Sequence, residues 1–157
     1  MKFSNKDKIL VVAAHPDDEI LGCAGTLDKA IKKKSKVKVI YIGEGVSARF
    51  PIGQEYSKES LKAKKIREVE AIKALKILNI KDYKFGSKLC TKFDKYPLSE
   101  IILEIENVIR KFKPNIIFSH NDRDLNIDHR IIHSAVMTAV RPGHKSSIKQ
   151  VYSFEIP

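Results

Sequence analysis

Short apolar runs alternate with longer amphipathic stretches along this chain. Residues 8–14 (KILVVAA), 37–42 (VKVIYI) and 115–119 (NIIFS) are nearly continuous apolar runs of strand length, the pattern of strands covered on both faces. Residues 83–85 and 150–155 predict two more strands. Between the runs lie helical periods. Ile20, Ala24, Leu27 and Ile31 share one face of the first, and Ile66, Val69, Ile72 and Leu75 one face of a long charged helix over 58–78. Leu98, Ile101, Ile102, Ile105, Ile109 and Phe112 form the third stripe, which Pro97 can start and Lys113-Pro114 ends. Ile132, Ala135, Val136 and Ala139 mark a fourth helix over 128–140.

The order β-α-β-α-β-α-β-α-β predicts the α/β class: a Rossmann-like, mainly parallel sheet with helices on both faces. The 157 residues suit one domain, and no repeat, linker or low-complexity stretch divides them. In such sheets ligands bind beyond the carboxyl ends of the strands, which directs attention to the residues after Ala14 and after Ser119. A polar loop from Gly43 to about Tyr56, containing Arg49-Phe50-Pro51, is a candidate binding loop.

Charge alters this picture little. Lys and Arg number 30 against 19 Asp and Glu, a net +11, so the surface attracts anions. The lysines are scattered over helix surfaces, with one cluster at Lys32, Lys33, Lys34, Lys36 and Lys38, where a helix ends and a strand begins. Cations there complement the helix dipole. No arginine-rich tract accompanies them, so nucleic-acid binding is the weaker reading. No apolar run approaches the ~20 residues of a membrane span. The polar first seven residues lack the core of a signal peptide, which makes the cytoplasm the expected location. Two cysteines, Cys23 and Cys90, form no disulfide framework and are expected to be free.

Both strand ends are dense in metal-ligand residues: His15-Pro16-Asp17-Asp18-Glu19 after the first, and the run from His120 to His129 after the fourth. A catalytic zinc site takes three protein ligands and keeps one open position. His15 and Asp18 can supply two ligands and His129 a third, with Asp17 free beside them as a general base. Asp17, Asp18 or Asp128 could instead cap the helices that follow.

Ala14-His15-Pro16-Asp17-Asp18-Glu19, followed by Gly22 and Gly25-Thr26, resembles the signature of the PIG-L / LmbE-like zinc N-deacetylases. The resemblance continues through 67–71, Ala74, Asp94, Pro97-Leu98 and Asp124-Leu125-Asn126-Ile127-Asp128-His129-Arg130, and so covers most of the chain in order. It implies a hydrolase that removes the N-acetyl group from a GlcNAc-type amino sugar conjugate, and the basic charge would suit a phosphorylated or nucleotide-linked one. It implies Zn2+, or Fe2+, held by His15, Asp18 and His129, with Asp17 as the base that activates water. Arg67 matches a family arginine that faces the substrate, or it pairs on the surface with Glu68 or Glu70. Asp128 corresponds to an orienting group. Asn126 stands where some members carry a histidine that assists the oxyanion, a role here narrowed to electrostatic help, which His120 could share. Cys90 stands where many relatives have an acidic residue that touches substrate, and no paired base marks it as a nucleophile. Members usually continue past the point equivalent to Pro157, so the expectation is one domain over 1–157, shortened at its C-terminal side. The Cys90 and Asn126 changes leave an alternative, a catalytically impaired binding protein of the same fold, and the net charge leaves a distant one, a nucleic-acid-binding module.

Overall fold

Strand β1 (Lys8–Ala13) is the centre of a five-stranded sheet, and the residues of its middle are wholly buried. The chain continues through α1 (Asp18–Lys32), β2 (Lys36–Tyr41), α2 (Lys58–Ile77), β3 (Asp82–Lys84), α3 (Leu98–Phe112), β4 (Ile116–His120), α4 (Ile127–Ala139) and β5 (Gln150–Phe154). Single 3-10 turns at Ser47–Arg49 and Phe93–Lys95 interrupt the loops. This computed structural model describes residues 1–141 and 147–156; Pro157 lies outside them.

All four strand pairings are parallel, in the order β3-β2-β1-β4-β5. The sheet is the α/β arrangement the alternation predicts, with element ends shifted by a residue or so, as ends usually are. Side chains of β1 alternate between two cores. Ile9, Val11 and Ala13 meet Cys23, Leu27, Ala30 and Leu75 from α1 and α2. Leu10, Val12 and Ala14 meet Ile101, Ile105, Ile132, Ala135 and Val136 from α3 and α4. Among the described residues no helix is long and apolar enough to cross a membrane.

Two helical faces differ from expectation. On α1 the buried stripe is Cys23, Leu27 and Ala30, while Ile20 and Ala24 are only half-buried. Gly22 faces β5: a Cβ there would lie 2.3 Å from Cδ2 of Phe154, so its bare backbone admits that ring. On α2 Ile66 and Val69 are half exposed, and the inward residues are Ser60, Ala71 and Leu75. That helix carries apolar residues on several sides, so its sequence alone did not select one face.

The chain runs outward from β1 in both directions: β2 lies on one side of it and β4 on the other. That reversal opens a crevice beyond the carboxyl ends of β1 and β4. The two motif-bearing turns meet there.

Candidate metal centre

The turn after β1 packs His15 and Asp18 beneath the rim, 6% and 3% exposed. Oδ2 of Asp18 accepts the His15 backbone N–H at 2.7 Å, which closes the turn and aims the carboxylate inward. Nδ1 of His15 lies 3.8 Å from Asp18 Oδ2, and Nε2 of His129 lies 3.5 Å from Asp18 Oδ1. One ligand atom from each of His15, Asp18 and His129 falls within 4.8 Å of the others. Nε2 of His129 is buried and has no hydrogen-bond partner among the described residues. A buried acceptor left open in this way, among a carboxylate and a second imidazole, fits a divalent cation of zinc or ferrous-iron type.

Both histidines are backed by carboxylates. Nδ1 of His129 sits 2.7 Å from Asp124 Oδ2, and Nε2 of His15 sits 2.8 Å from Asp128 Oδ2. Such carboxylate partners fix the ring orientation and tautomer of a metal-ligating histidine. Asp128 is fully buried and also accepts the N–H groups of Thr91 and Phe93, at 2.6 and 3.1 Å. It does not cap its helix. Asn126 does, accepting the Asp128 N–H at 2.9 Å through Oδ1. The amide nitrogen of Asn126 is what it has left to offer a substrate.

The charges agree with a cation site. Burial works to discharge His15, yet its contacts with Asp128, Cys90 and Asp18 win and hold the ring protonated up to about 10. Burial alone would raise Asp18, but His120 and His129 keep it well below the usual carboxylate range. Protons now occupy a region of negative potential that a metal ion could take over.

Asp17 occupies the N-cap position of α1 at φ 134°, ψ −23°, a conformation rare outside glycine, and its side chain makes no cap hydrogen bond. Its Oδ2 instead accepts from Arg67 at 2.8 Å. Burial and the neighbouring Asp18 raise its pKa, against Arg67. Arg67 thus reaches the crevice from α2, and Glu68 and Glu70 are not its partners among the described ion pairs.

His120 is not at the open rim. It is wholly buried, stacked on His129 at 4.0 Å between centroids and edge-on to Phe154 at 4.8 Å. Its Nε2 accepts the Ala14 N–H at 2.9 Å, and burial favours the neutral ring. It buttresses the site from behind, so the share in oxyanion help expected of it has no access to substrate.

Three supporting carboxylates had no role assigned from the sequence. Asp124 is one. Glu19, wholly buried, accepts from the Tyr41 hydroxyl at 2.6 Å and the Asp17 N–H at 3.3 Å; burial pushes its pKa up to about 7. Glu44, just past β2, accepts the N–H groups of Val46, Ser47 and Cys90 and ties two loops together. The strand-end rule that located His15 applies equally to Glu44. A cavity of about 520 Å³ opens beside His129, lined in part by Asn121, Arg123, Asn126 and Glu155.

The family model described as PIG-L, GlcNAc-PI de-N-acetylase, matches residues 10–140. The "Uncharacterized deacetylase YaiS" of Escherichia coli (strain K12) is 26% identical over 165 residues, covering 100% of this chain and 78% of that protein. N,N'-diacetylchitobiose deacetylase from Pyrococcus horikoshii has TM-score 0.73 and 22% identity, over 85% of this chain and 49% of its own. GalB, the 4-carboxy-2-hydroxymuconate hydratase of Pseudomonas putida KT2440, has TM-score 0.68 and 22% identity, over 89% of this chain and 60% of its own. The chain therefore spans about half of the one solved structure and three fifths of the other. At these identities the likeness establishes the fold, which carries two different reactions in those two proteins.

Proposed function

The chain belongs to the PIG-L family, described as GlcNAc-PI de-N-acetylases, and from that premise we propose that it is a metal-dependent hydrolase that removes the acetyl group from an N-acetylated amino sugar conjugate. We read residues 1–157 as one deacetylase domain. His15, Asp18 and His129 hold the cation, zinc or ferrous iron. The observation that carries the reading is the buried Nε2 of His129, facing Asp18 and without a hydrogen-bond partner among the described residues, with the Asp17 carboxylate unspent on its helix.

A cation bound there would polarise the amide carbonyl and lower the pKa of a water molecule it binds. The other roles belong to side chains. Asp17 takes a proton from the water that adds to the carbonyl carbon. Its raised pKa suits a group that must accept a proton and then release it. Arg67, 2.8 Å away, holds the carboxylate at the crevice. Asn126 offers its amide N–H to the oxygen on which negative charge develops. As the C–N bond breaks, Asp17 passes the proton to the departing amine. Acetate and a free amino sugar result. Asp128 and Asp124 act through the histidines they orient.

The test is acetate and primary-amine release from free, phosphorylated and nucleotide-linked N-acetyl amino sugars, with metal content measured on the same samples. About one metal ion per chain and equal release of acetate and amine support the reading. A folded, metal-loaded protein that releases neither from any of these conjugates refutes it.

A further inference from the structure

The two ring nitrogens of His15 face two different clusters. Nδ1 looks toward Asp18, on the side of His129. Nε2 lies 2.8 Å from Asp128 Oδ2. Cys90 offers a thiol beside this pair, and one ligand atom each from His15, Cys90 and Asp128 lies within 4.8 Å of the others.

Cys90 is placed firmly. Its backbone N–H is bonded to Glu44 Oε1 at 3.0 Å and to Ser47 Oγ at 2.9 Å. The next residue, Thr91, has φ 59° and donates its N–H to Asp128 at 2.6 Å. Cys90 is half-buried whereas Asp128 is fully buried. Nucleophilic catalysis is a poor use of this thiol. His15, the base within its reach, already has a carboxylate facing each ring nitrogen.

Thiolate, imidazole and carboxylate together match the donor set of soft and borderline cations. Donors on a tetrahedral ion with such bond lengths stand about 3.5 Å apart. The cluster reaches that spacing if Asp128 and Nε2 of His15 part by under ~1 Å and the thiol closes in.

We propose that His15, Cys90 and Asp128 form a second cation site, selective for thiophilic divalent ions, that shares His15 with the catalytic centre. On binding, metal–sulfur, metal–nitrogen and metal–oxygen bonds form. The thiol proton and the proton shared by His15 and Asp128 leave to solvent, with no change of oxidation state. An ion here takes Asp128 from the ring that it orients, so the site is inhibitory. The binding claim stands on its own residues; the inhibition, and the further equivalent bound at the first centre, rest on the deacetylase reading.

Cadmium alone is the probe. Titration of the wild-type protein is expected to give two equivalents bound, one of them with the ultraviolet charge-transfer band of a cadmium thiolate. Cys90→Ser is expected to abolish the band and leave one equivalent. Changing outer partners of a metal site typically costs about 10–100-fold in affinity, so losing the thiolate is expected to cost at least about 100-fold. His129→Ala, which removes a ligand of the first centre only, is expected to keep the band. No band in the wild type overturns the proposal, as does a band unchanged in Cys90→Ser, which would then arise from Cys23. A band lost in His129→Ala overturns it too, because Cys90 would then serve the first centre. A wild-type protein inactive on every conjugate but showing the Cys90-dependent band refutes the deacetylase reading and leaves the site standing.

Discussion

Asp124 Oδ2 lies 2.7 Å from Nδ1 of His129, and this contact decides which nitrogen of the ring is left open. A proton on Nδ1 directed at the carboxylate leaves the lone pair on Nε2, the buried atom beside Asp18 that has no hydrogen-bond partner among the described residues. Asp124 itself is held below its ordinary pKa: burial opposes this, but the His129 contact and the Asn126 N–H prevail. It stays ionised near neutrality and keeps orienting the ring.

Asp124→Asn should therefore weaken zinc or iron binding by about 10–100-fold, the usual cost of removing such a partner. Competition against a chelating dye measures it. Affinity equal to the wild type would mean that Asp124 does not set the state of His129.

Asp17→Asn should separate binding from chemistry. The amide cannot take a proton, so turnover should fall by about 10²–10⁴-fold with metal content unchanged. Asp17→Gly should behave differently in one respect. It relieves the φ of 134°, so the protein should gain stability, by up to about 1 kcal/mol, as activity is lost. Chemical denaturation and acetate release on both variants check this. Activity surviving in Asp17→Asn would remove Asp17 from the base role.

The main lines of the site were legible because they depend on short-range order. A buried strand followed at once by His15 to Asp18 can place those residues only at a strand end, and the β-α alternation put the segment from His120 on the same rim. Helix faces were harder. Which side of α2 turns inward depends on the few positions where it meets the sheet, Ala71 and Leu75, and Ile66 and Val69 stay outside. The supporting contacts were harder still. Glu44 to Cys90 spans 46 positions and Asp128 to Thr91 spans 37, and each depends on loop paths that no periodicity encodes. The same holds for Cys90 beside His15, visible only once the fold brings them together.

Glu44→Ala should be among the costliest changes outside the hydrophobic core. It leaves the N–H groups of Val46 and Ser47 without their buried acceptor and removes one of two from Cys90. The expected loss is about 2–4 kcal/mol. Glu44→Gln, which keeps one acceptor oxygen, should lose less. Cys90 should react faster with a thiol reagent in both variants, in the same order as the stability losses. A slower or unchanged rate would show that Glu44 does not hold the Cys90 loop.

Gly22→Ala should disturb the site from behind. The added Cβ would meet Cδ2 of Phe154 at 2.3 Å and Cγ at 2.6 Å, near the root of the ring, where rotation gives little relief. Overpacking of this kind costs about 1–3 kcal/mol. Phe154 packs edge-on against His120, and His120 stacks on His129, so metal affinity should fall together with Tm. A fall in Tm with affinity intact would mean that the strain stops at Phe154.

Glu19 ties stability to pH. Burial raises its pKa from 4.5 to about 7, so the folded protein holds a proton that the unfolded chain would release. The sign follows from linkage: this contribution is fully present below about 4.5 and is lost as pH rises through about 7, where folding must bury the charge. A displacement of that size corresponds to at most roughly 3 kcal/mol. Glu19→Gln keeps an oxygen for the Tyr41 hydroxyl and never ionises, at the expense of the longer bond from Asp17 N–H at 3.3 Å. The metal-free variant should therefore be more stable than the metal-free wild type above pH 7, by about 1–3 kcal/mol, and about equal to it or slightly weaker near pH 4.5. Urea denaturation from pH 4.5 to 8.5 gives the two curves. If their difference does not change across that interval, the Glu19 proton is not what couples this fold to pH.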